Sequence, residues 1–269
     1  MNYVVRSIIL DIQFFLLDLT LSEKIEFIFI KYLILCKNLL LGYKVGNSYA
    51  VIFGQKYYYD DKFGISYLQS LYIDNAFLKN YIKPASTVID IGANIGQFNF
   101  FCRHYLNAKE IYSFEPVCAT FELLSKNINN NIFPYAISTK KNDNFYIPVT
   151  SLMASKYKLS SSDKKEKIRG INLDIFLKVF NIPHINLFKI DTEGSEYDVM
   201  VNSKNTIKKS RYILLETSVE RQSSGDILES IVLLKKFLPH IHLAKVGRIF
   251  QENTKTVAID LLFKQNNKL

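Results

Sequence analysis

Nine consecutive residues, Val88-Ile-Asp-Ile-Gly-Ala-Asn-Ile-Gly96, restrict this chain to few folds. An apolar strand runs into a glycine-rich turn, and Gln97 to Leu106 continues with helical spacing. Gly92 lets backbone approach a ligand where a side chain would block it, and Gly96 lets the following helix pack close to the strand. A strand, glycine turn and helix in this order open a βαβ unit, and such sheets bind ligands at their carboxyl edge. Glu115 follows Ser113-Phe114 at the end of the next apolar segment, 23 positions after Gly92. A carboxylate near that spacing accepts hydrogen bonds from the two hydroxyls of a ribose.

The spelling of the turn separates two ligand classes. Dinucleotide folds use G-x-G-x-x-G and bring a helix N-terminus to a pyrophosphate. Here the turn reads D-x-G-A-N-x-G and includes an acid, Asp90. Negative charge repels a pyrophosphate and attracts a sulfonium and an α-amino group. S-adenosylmethionine is the expected ligand, and a nucleotide is the alternative.

The periodicity downstream alternates between strand and helix, as a mainly parallel sheet requires. Strands are expected at Thr87–Ile91, Glu110–Phe114, Ile132–Ile137, Leu187–Ile190 and Tyr212–Glu216. Helices are expected at Ala119–Asn129, Leu173–Phe180, from Ser195 toward Lys209, and at Ile227–Leu238. Ile241–Val246 and Val257–Phe263 are too close for a helical crossover and should pair antiparallel. Phe145–Val149 reads as an extra strand, and the Ser- and Lys-rich stretch Ser151–Arg169 as a loop that covers an acceptor. Upstream, Val4–Leu41 has two apolar stripes at helical spacing, Ser48–Phe53 and Lys56–Tyr59 read as a hairpin, and Tyr67–Tyr81 as a helix. The division drawn from this is an N-terminal helical and β-hairpin extension over 1–82 and a strand–helix domain over 83–269 that carries the expected S-adenosylmethionine site.

Five motifs occur in an order that resembles the FkbM family of methyltransferases: Asp90-Ile-Gly-Ala-Asn-Ile-Gly96, Ser113-Phe-Glu-Pro116, Ala136-Ile-Ser138, Asn172-Leu-Asp-Ile-Phe-Leu177 and Lys189-Ile-Asp-Thr-Glu-Gly-Ser-Glu196. The resemblance covers about Thr87 to Thr217. It implies a Rossmann-like class I methyltransferase fold, with a mostly parallel seven-stranded sheet that ends in an antiparallel hairpin. It implies that Asp90, Gly92, Ala93, Asn94, Gly96 and Glu115 line an S-adenosylmethionine site and that Ala136 lies near the adenine. Asp191, Glu193 and Glu196 would sit at the edge of the active site. The family is similar to O-methyltransferases that act on hydroxyls of sugars, glycans and related small acceptors. Val201-Asn202 stands where the family has a Lys-Gly pair, and Asn202 is expected to end its helix in the left-handed conformation open to Asn.

The acids can also be read from chemistry alone. Asp191 and Glu216 end adjacent parallel strands, so both should face the crevice. Glu193 and Glu196 are three apart at a helix start, where acids suit the helix dipole. Two readings stay open for the crevice acids. Asp191, Glu216 or Glu193 could be the base that takes a proton from a hydroxyl, or Asp191 and Glu216 could hold Mg²⁺ or Ca²⁺. The turn that recognises base amines is missing after the fourth strand, and none of Cys36, Cys102 and Cys118 stands where a pyrimidine-attacking thiol would. These cysteines read as buried free thiols, and His184 is the histidine nearest the crevice.

The formal net charge is +9, with basic residues crowded at Lys156–Arg169 and Lys204–Arg211. Solvated surface is the expected reading. The alternatives carried forward are a ribose O-methyltransferase acting on RNA and a non-catalytic, membrane-associated protein that binds S-adenosylmethionine. A nucleic-acid partner is not expected, because no basic helix has interleaved aromatics. The apolar N-terminus is interrupted by charges such as Arg6, Asp11 and Lys31, short of the about 20 apolar residues a spanning helix needs. A cytoplasmic protein is expected, with the N-terminal helices packed as a cap on the core; a peripheral membrane contact or a homo-oligomer face is the alternative for them.

Overall fold

Strand and helix periods alternate along the chain, and hydrogen bonding follows them. The computed structural model describes residues 3–42, 48–59, 61, 63–147, 164–192, 194–218, 227–252 and 255–266. Two helices come first, α1 (Tyr3–Phe15) and α2 (Leu21–Leu41). Thr20 caps α2 with a capping box, in which its hydroxyl accepts from the Glu23 N–H and the Glu23 carboxylate accepts from the Thr20 N–H. A hairpin of β1 (Tyr49–Ile52) and β2 (Gln55–Tyr58) follows, then α3 (Gly64–Asn75), which runs on as a 3-10 turn.

The central unit then unrolls as β3 (Thr87–Ile91), α4 (Gln97–His104), β4 (Glu110–Phe114), α5 (Cys118–Asn127) and β5 (Ile132–Phe133). A side sheet is built by β6 (Ala136–Ile137), β7 (Asn142–Ile147) and β8 (Lys164–Ile171). After it come α6 (Leu173–Phe176), β9 (Ile185–Ile190), α7 (Glu196–Val201), α8 (Lys204–Lys209), β10 (Ser210–Ser218), α9 (Ile227–Phe237), β11 (His242–Glu252) and β12 (Lys255–Lys264). The main sheet has the order β11-β12-β10-β9-β3-β4-β5. The pairs of β9, β3, β4, β5 and β10 are parallel, and β12 runs antiparallel between β10 and β11. This is the Rossmann-like class I methyltransferase architecture that the sequence implies.

Period-2 alternation sends side chains to two cores. Val88, Ile111, Leu187, Leu214 and Leu262 meet α3 and α4 on one face. Ile89, Tyr112, Phe188 and Ile213 meet α7 and α9 on the other. The first core is continuous with the N-terminal elements: Phe14 stacks near Phe27 with centroids 4.5 Å apart, and both lie near Tyr72 of α3. Lys31, 2% exposed, is buried beside them and donates to Ser7, Asp11 and Gln69.

The structure corrects five local expectations. The strand expected over Ile132–Ile137 splits, because β5 stays with β4 while β6 pairs with β8. The end of the expected covering loop, Lys164 to Arg169, is strand β8 paired with β7, and residues 148–163 lie outside the described residues. The helix expected from Ser195 is two short helices. Between them Asn202 has φ −88°, not a left-handed value, since its side chain bonds back to the Asp198 carbonyl and its own carbonyl accepts from Leu173. Cys36 and Cys118 are exposed free thiols, and only Cys102 is buried. Among the described residues no helix is long and apolar enough to cross a membrane.

Continuity of the first core makes the N-terminal helices part of one cooperative unit. Phe14→Ala should cost about 3–5 kcal/mol, and denaturant unfolding followed by aromatic fluorescence and by circular dichroism should show one shared transition. Two separate midpoints would show that α1 and α2 fold independently of the sheet.

Candidate cofactor and acceptor site

The carboxyl ends of β3, β4, β9 and β10 open onto one cavity of about 530 Å³. That is room for a drug-sized ligand. Gly92, Ala93 and Asn94 form its floor, with Glu115 and Ala136 on one side and Asp191 and Glu216 on the other. The opposite wall comes from outside the parallel sheet: Arg6 of α1, Tyr67 and Asp74 of α3, Arg248 of β11 and Asp260 of β12.

The turn after β3 is held by its own chain. Gly92 has φ +80°, and a Cβ there would overlap the carbonyl oxygen of Asp191. The reason for glycine is therefore the close passage of the segment after β9, and not only clearance for a ligand. The N–H groups of Gly92 and Ala93 both donate to the Phe114 carbonyl at 3.0 Å, and the Asp191 N–H donates to the Ile91 carbonyl at 3.1 Å. Gly96, at φ +92°, leaves space for Leu124 and Ile128, so it accommodates α5 and the chain after it. It does not line the cavity.

Asp90 is also displaced from its expected place. The sequence puts it in the turn, but it is a residue of β3, 0% exposed, and it does not line the cavity. Parallel pairing sets it opposite Lys189 of β9. The Lys189 ammonium lies 3.2 Å from Asp90 and 3.0 Å from Asp191, over the Phe98 ring. Burial disfavours this ammonium, but Asp191 and Asp90 outweigh burial and hold its pKa above that of an ordinary lysine. Burial pushes the Asp90 carboxyl up, and Lys189 opposes that. The charge that the sequence assigns to a ligand is thus met by a lysine. Lys189 heads the Lys-Ile-Asp motif, and its spacing of two from Asp191 was the signal for a shared face.

Glu115 follows β4 and is 7% exposed on the cavity wall. It accepts from the Asn94 N–H at 3.1 Å and the Val117 N–H at 3.0 Å. Burial raises its pKa to about 7, against the two backbone N–H groups that favour the anion. Ser195, 6% exposed, also lines the cavity, and its hydroxyl has no hydrogen-bond partner among the described residues. A carboxylate with spare lone pairs and an unused hydroxyl suit a ligand with vicinal hydroxyls and an amino-acid end.

Asp191, Glu216 and Asp260 form a row across the carboxyl edge. Glu216 pairs directly with Asp260, and the β9–β10 register, Ile190 to Leu215, brings Asp191 beside Glu216. Asp191 is engaged by Lys189, and Asp74 by Arg248 at 3.1 Å. The Asp260 carboxylate has no hydrogen bond or salt bridge among the described residues. Burial and then the Asp191 charge raise its pKa to about 7, against Lys189 and Arg248. Sequence reasoning passed over Asp260, although it is the lone acid in the apolar run Val257–Phe263. Glu196 is not presented to the cavity: it is 5% exposed and accepts from Thr192 and Gly194, closing the loop before α7. Glu193 lies outside the described residues. His184 approaches Asn186 and is absent from the wall. Among the described residues no three His, Cys, Asp or Glu side chains group as metal ligands.

The lysine between two aspartates can be tested without a ligand. Lys189→Met leaves Asp90 buried without its counter-charge and should cost about 3–5 kcal/mol in urea unfolding. Adding Asp90→Asn should return a large part of that loss. Two independent, additive losses would mean that the groups do not interact.

The chain is 26% identical over 132 residues to a hexuronic acid methyltransferase, AglP, of Haloferax volcanii, covering 47% of this chain and 54% of that protein. It is 25% identical over 159 residues to Methyltransferase 1 of Beauveria bassiana, covering 49% of this chain and 64% of that protein. The chain thus spans between about half and two thirds of the length of these curated relatives. Among solved structures it overlaps magnesium protoporphyrin IX methyltransferase (ChlM) of Synechocystis with bound SAM at a TM-score of 0.46 and 8% identity, covering 75% of this chain and 81% of that one. Residues 90–260, from the buried aspartate of β3 to the aspartate of β12, match the Methyltransferase FkbM domain, and the chain belongs to that family.

Proposed function

We propose that this chain is an S-adenosylmethionine-dependent methyltransferase that acts on a hydroxyl of a sugar, glycan or other small acceptor. The observation that carries this reading is one continuous cavity that joins Glu115, at the end of β4, to the carboxylate row Asp191–Glu216–Asp260. Family membership and the hexuronic acid methyltransferase relative support it. S-adenosylmethionine, when bound, supplies a methyl group on a positively charged sulfur. Glu115 holds the ribose hydroxyls, and Ser195, with the Gly92–Asn94 turn, faces the rest of the ligand. Ala136, small and on the wall beside Glu115, leaves room for the adenine.

The acceptor's proton needs a carboxylate that is free to take it. Asp191 spends its charge on Lys189. Asp260 does not, and a proton affinity matched to neutral pH is what a general base requires. The base is therefore Asp260 and not Asp191, with Asp191 and Lys189 setting the field around it. Tyr67, Arg248 and Phe250 line the wall on Asp260's side, and they give the acceptor both polar groups and aromatic faces.

Two measurements test this. Glu115→Gln keeps size and removes charge, and calorimetry should show S-adenosylmethionine binding weaker by about 1.5–3 kcal/mol; unchanged affinity in a folded variant removes the ribose role. Turnover should rise with pH through about 7 as Asp260 loses its proton. Asp260→Asn should lower turnover by about a hundredfold or more, abolish that rise and leave cofactor affinity nearly unchanged. If Asp191→Asn abolishes the pH dependence and Asp260→Asn does not, the proton goes to Asp191.

A further inference from the structure

The cavity draws its walls from two parts of the chain. Gly92, Asn94, Glu115 and Asp191 lie within the family-matched residues 90–260, whereas Arg6, Tyr67 and Asp74 come from the N-terminal extension before them. Two guanidinium groups stand on the acceptor side. Arg248 lies 3.1 Å from Asp74 and 3.8 Å from the centre of the Phe250 ring, so an acid and an aromatic face hold its plane. Arg6 has no hydrogen bond or salt bridge among the described residues, yet its charge acts on the same acid. Burial pushes the Asp74 carboxyl up, and Arg248 and then Arg6 oppose that. Asp74 matches one of the two cations and leaves the other.

The packing of the chain gives Arg6 no purpose. It is exposed, belongs to neither apolar core, and is the fourth residue of α1, where a cation opposes the helix dipole. Its place is nevertheless fixed. Ser7, the next residue, is buried and accepts from the Lys31 ammonium at 3.0 Å. The same ammonium donates to Asp11 and Gln69, and Gln69 donates to Asp11 at 2.8 Å. A buried lysine is stable only with its partners in place, so this cluster holds α1 and α3 in one arrangement. Gln69 lies between Tyr67 and Asp74 on α3, and Arg6 therefore meets the cavity at a set position.

We infer that Arg6 and Arg248 bind an anionic group of the acceptor, a carboxylate or a phosphate, beside the hydroxyl that is methylated. The inference rests on the methyltransferase reading above. A guanidinium presents a planar fork of donors that fits either group with paired hydrogen bonds. Acids elsewhere on the wall have other work. Glu115 and Asp191 face the positively charged cofactor, and Asp61 accepts from the Phe63 N–H. Asp260, with its pKa raised to about 7, is partly protonated at neutral pH and lies within the field of Arg248 and Asp74. An anion held by the two arginines therefore sits next to the base.

Calorimetry of the full chain saturated with S-adenosylhomocysteine tests this with simple sugars. D-glucuronate is compared with D-glucuronamide, which lacks only the charge, and glucose 1-phosphate with glucose. At least one of the two anions should bind about tenfold or more tighter than its neutral counterpart, and which one does so tells carboxylate from phosphate. Arg6→Gln should remove that preference and Arg6→Lys should keep part of it. Circular dichroism, melting temperature and S-adenosylhomocysteine affinity should stay as in the wild type. Equal binding of charged and neutral sugars, tighter binding of D-glucosamine than of either anion, or a preference that survives Arg6→Gln overturns the inference. With normal S-adenosylhomocysteine binding, those outcomes leave the methyltransferase reading intact. A wild-type chain that fails to bind S-adenosylhomocysteine removes that reading and the inference together.

Discussion

A lysine ammonium buried between Asp90 and Asp191 ties the two central strands together at the point where the cavity begins. An unpaired charge in that position would be expensive, and a lysine between two carboxylates is stable only with its partners in place. The register of β3 against β9 is therefore set by polar chemistry as well as by the apolar residues on either side. A shift of one residue would turn Lys189 to the opposite face, into the core of Phe188 and Ile190. The turn after β3 depends on the same arrangement, because Gly92 lies against the Asp191 carbonyl.

That constraint divides the acids of the cavity by role. Asp90 is spent on structure, Asp191 is shared between Lys189 and the cavity, and Glu196 closes a loop. Asp260 has no such partner among the described residues. It reaches the row because β12 inserts antiparallel between β10 and β11 and pairs it with Glu216. The terminal hairpin thus completes the carboxyl edge of the parallel strands. The N-terminal extension acts in the same way from the other side, since α1 and α3 contribute Arg6, Tyr67 and Asp74 to the wall.

The strand–turn–helix at Val88–Gly96, the acid at Glu115 and the antiparallel hairpin were all legible, because each is local and periodic. Lys189 and Asp260 were harder. Each lies inside an apolar strand, where a single charge could face solvent, a partner or a cavity, and only register decides between these. The division of Ile132–Ile137 between two sheets was hidden for a related reason. Both halves have the same strand-like composition, and pairing alone separates them.

Local chemistry in the sequence determined that this chain would alternate strands and helices, turn on glycines and carry a carboxylate after β4. Those properties depend on backbone conformation and side-chain period over a few residues. The tertiary structure alone decided which charges neutralise one another and which reach the cavity. Asp90 and Lys189 are 99 positions apart, and Glu216 and Asp260 are 44 positions apart. Whether such acids are counter-ions, bases or ligands depends on desolvation and on distances across the sheet. Neither quantity exists until β3, β9, β10 and β12 lie side by side.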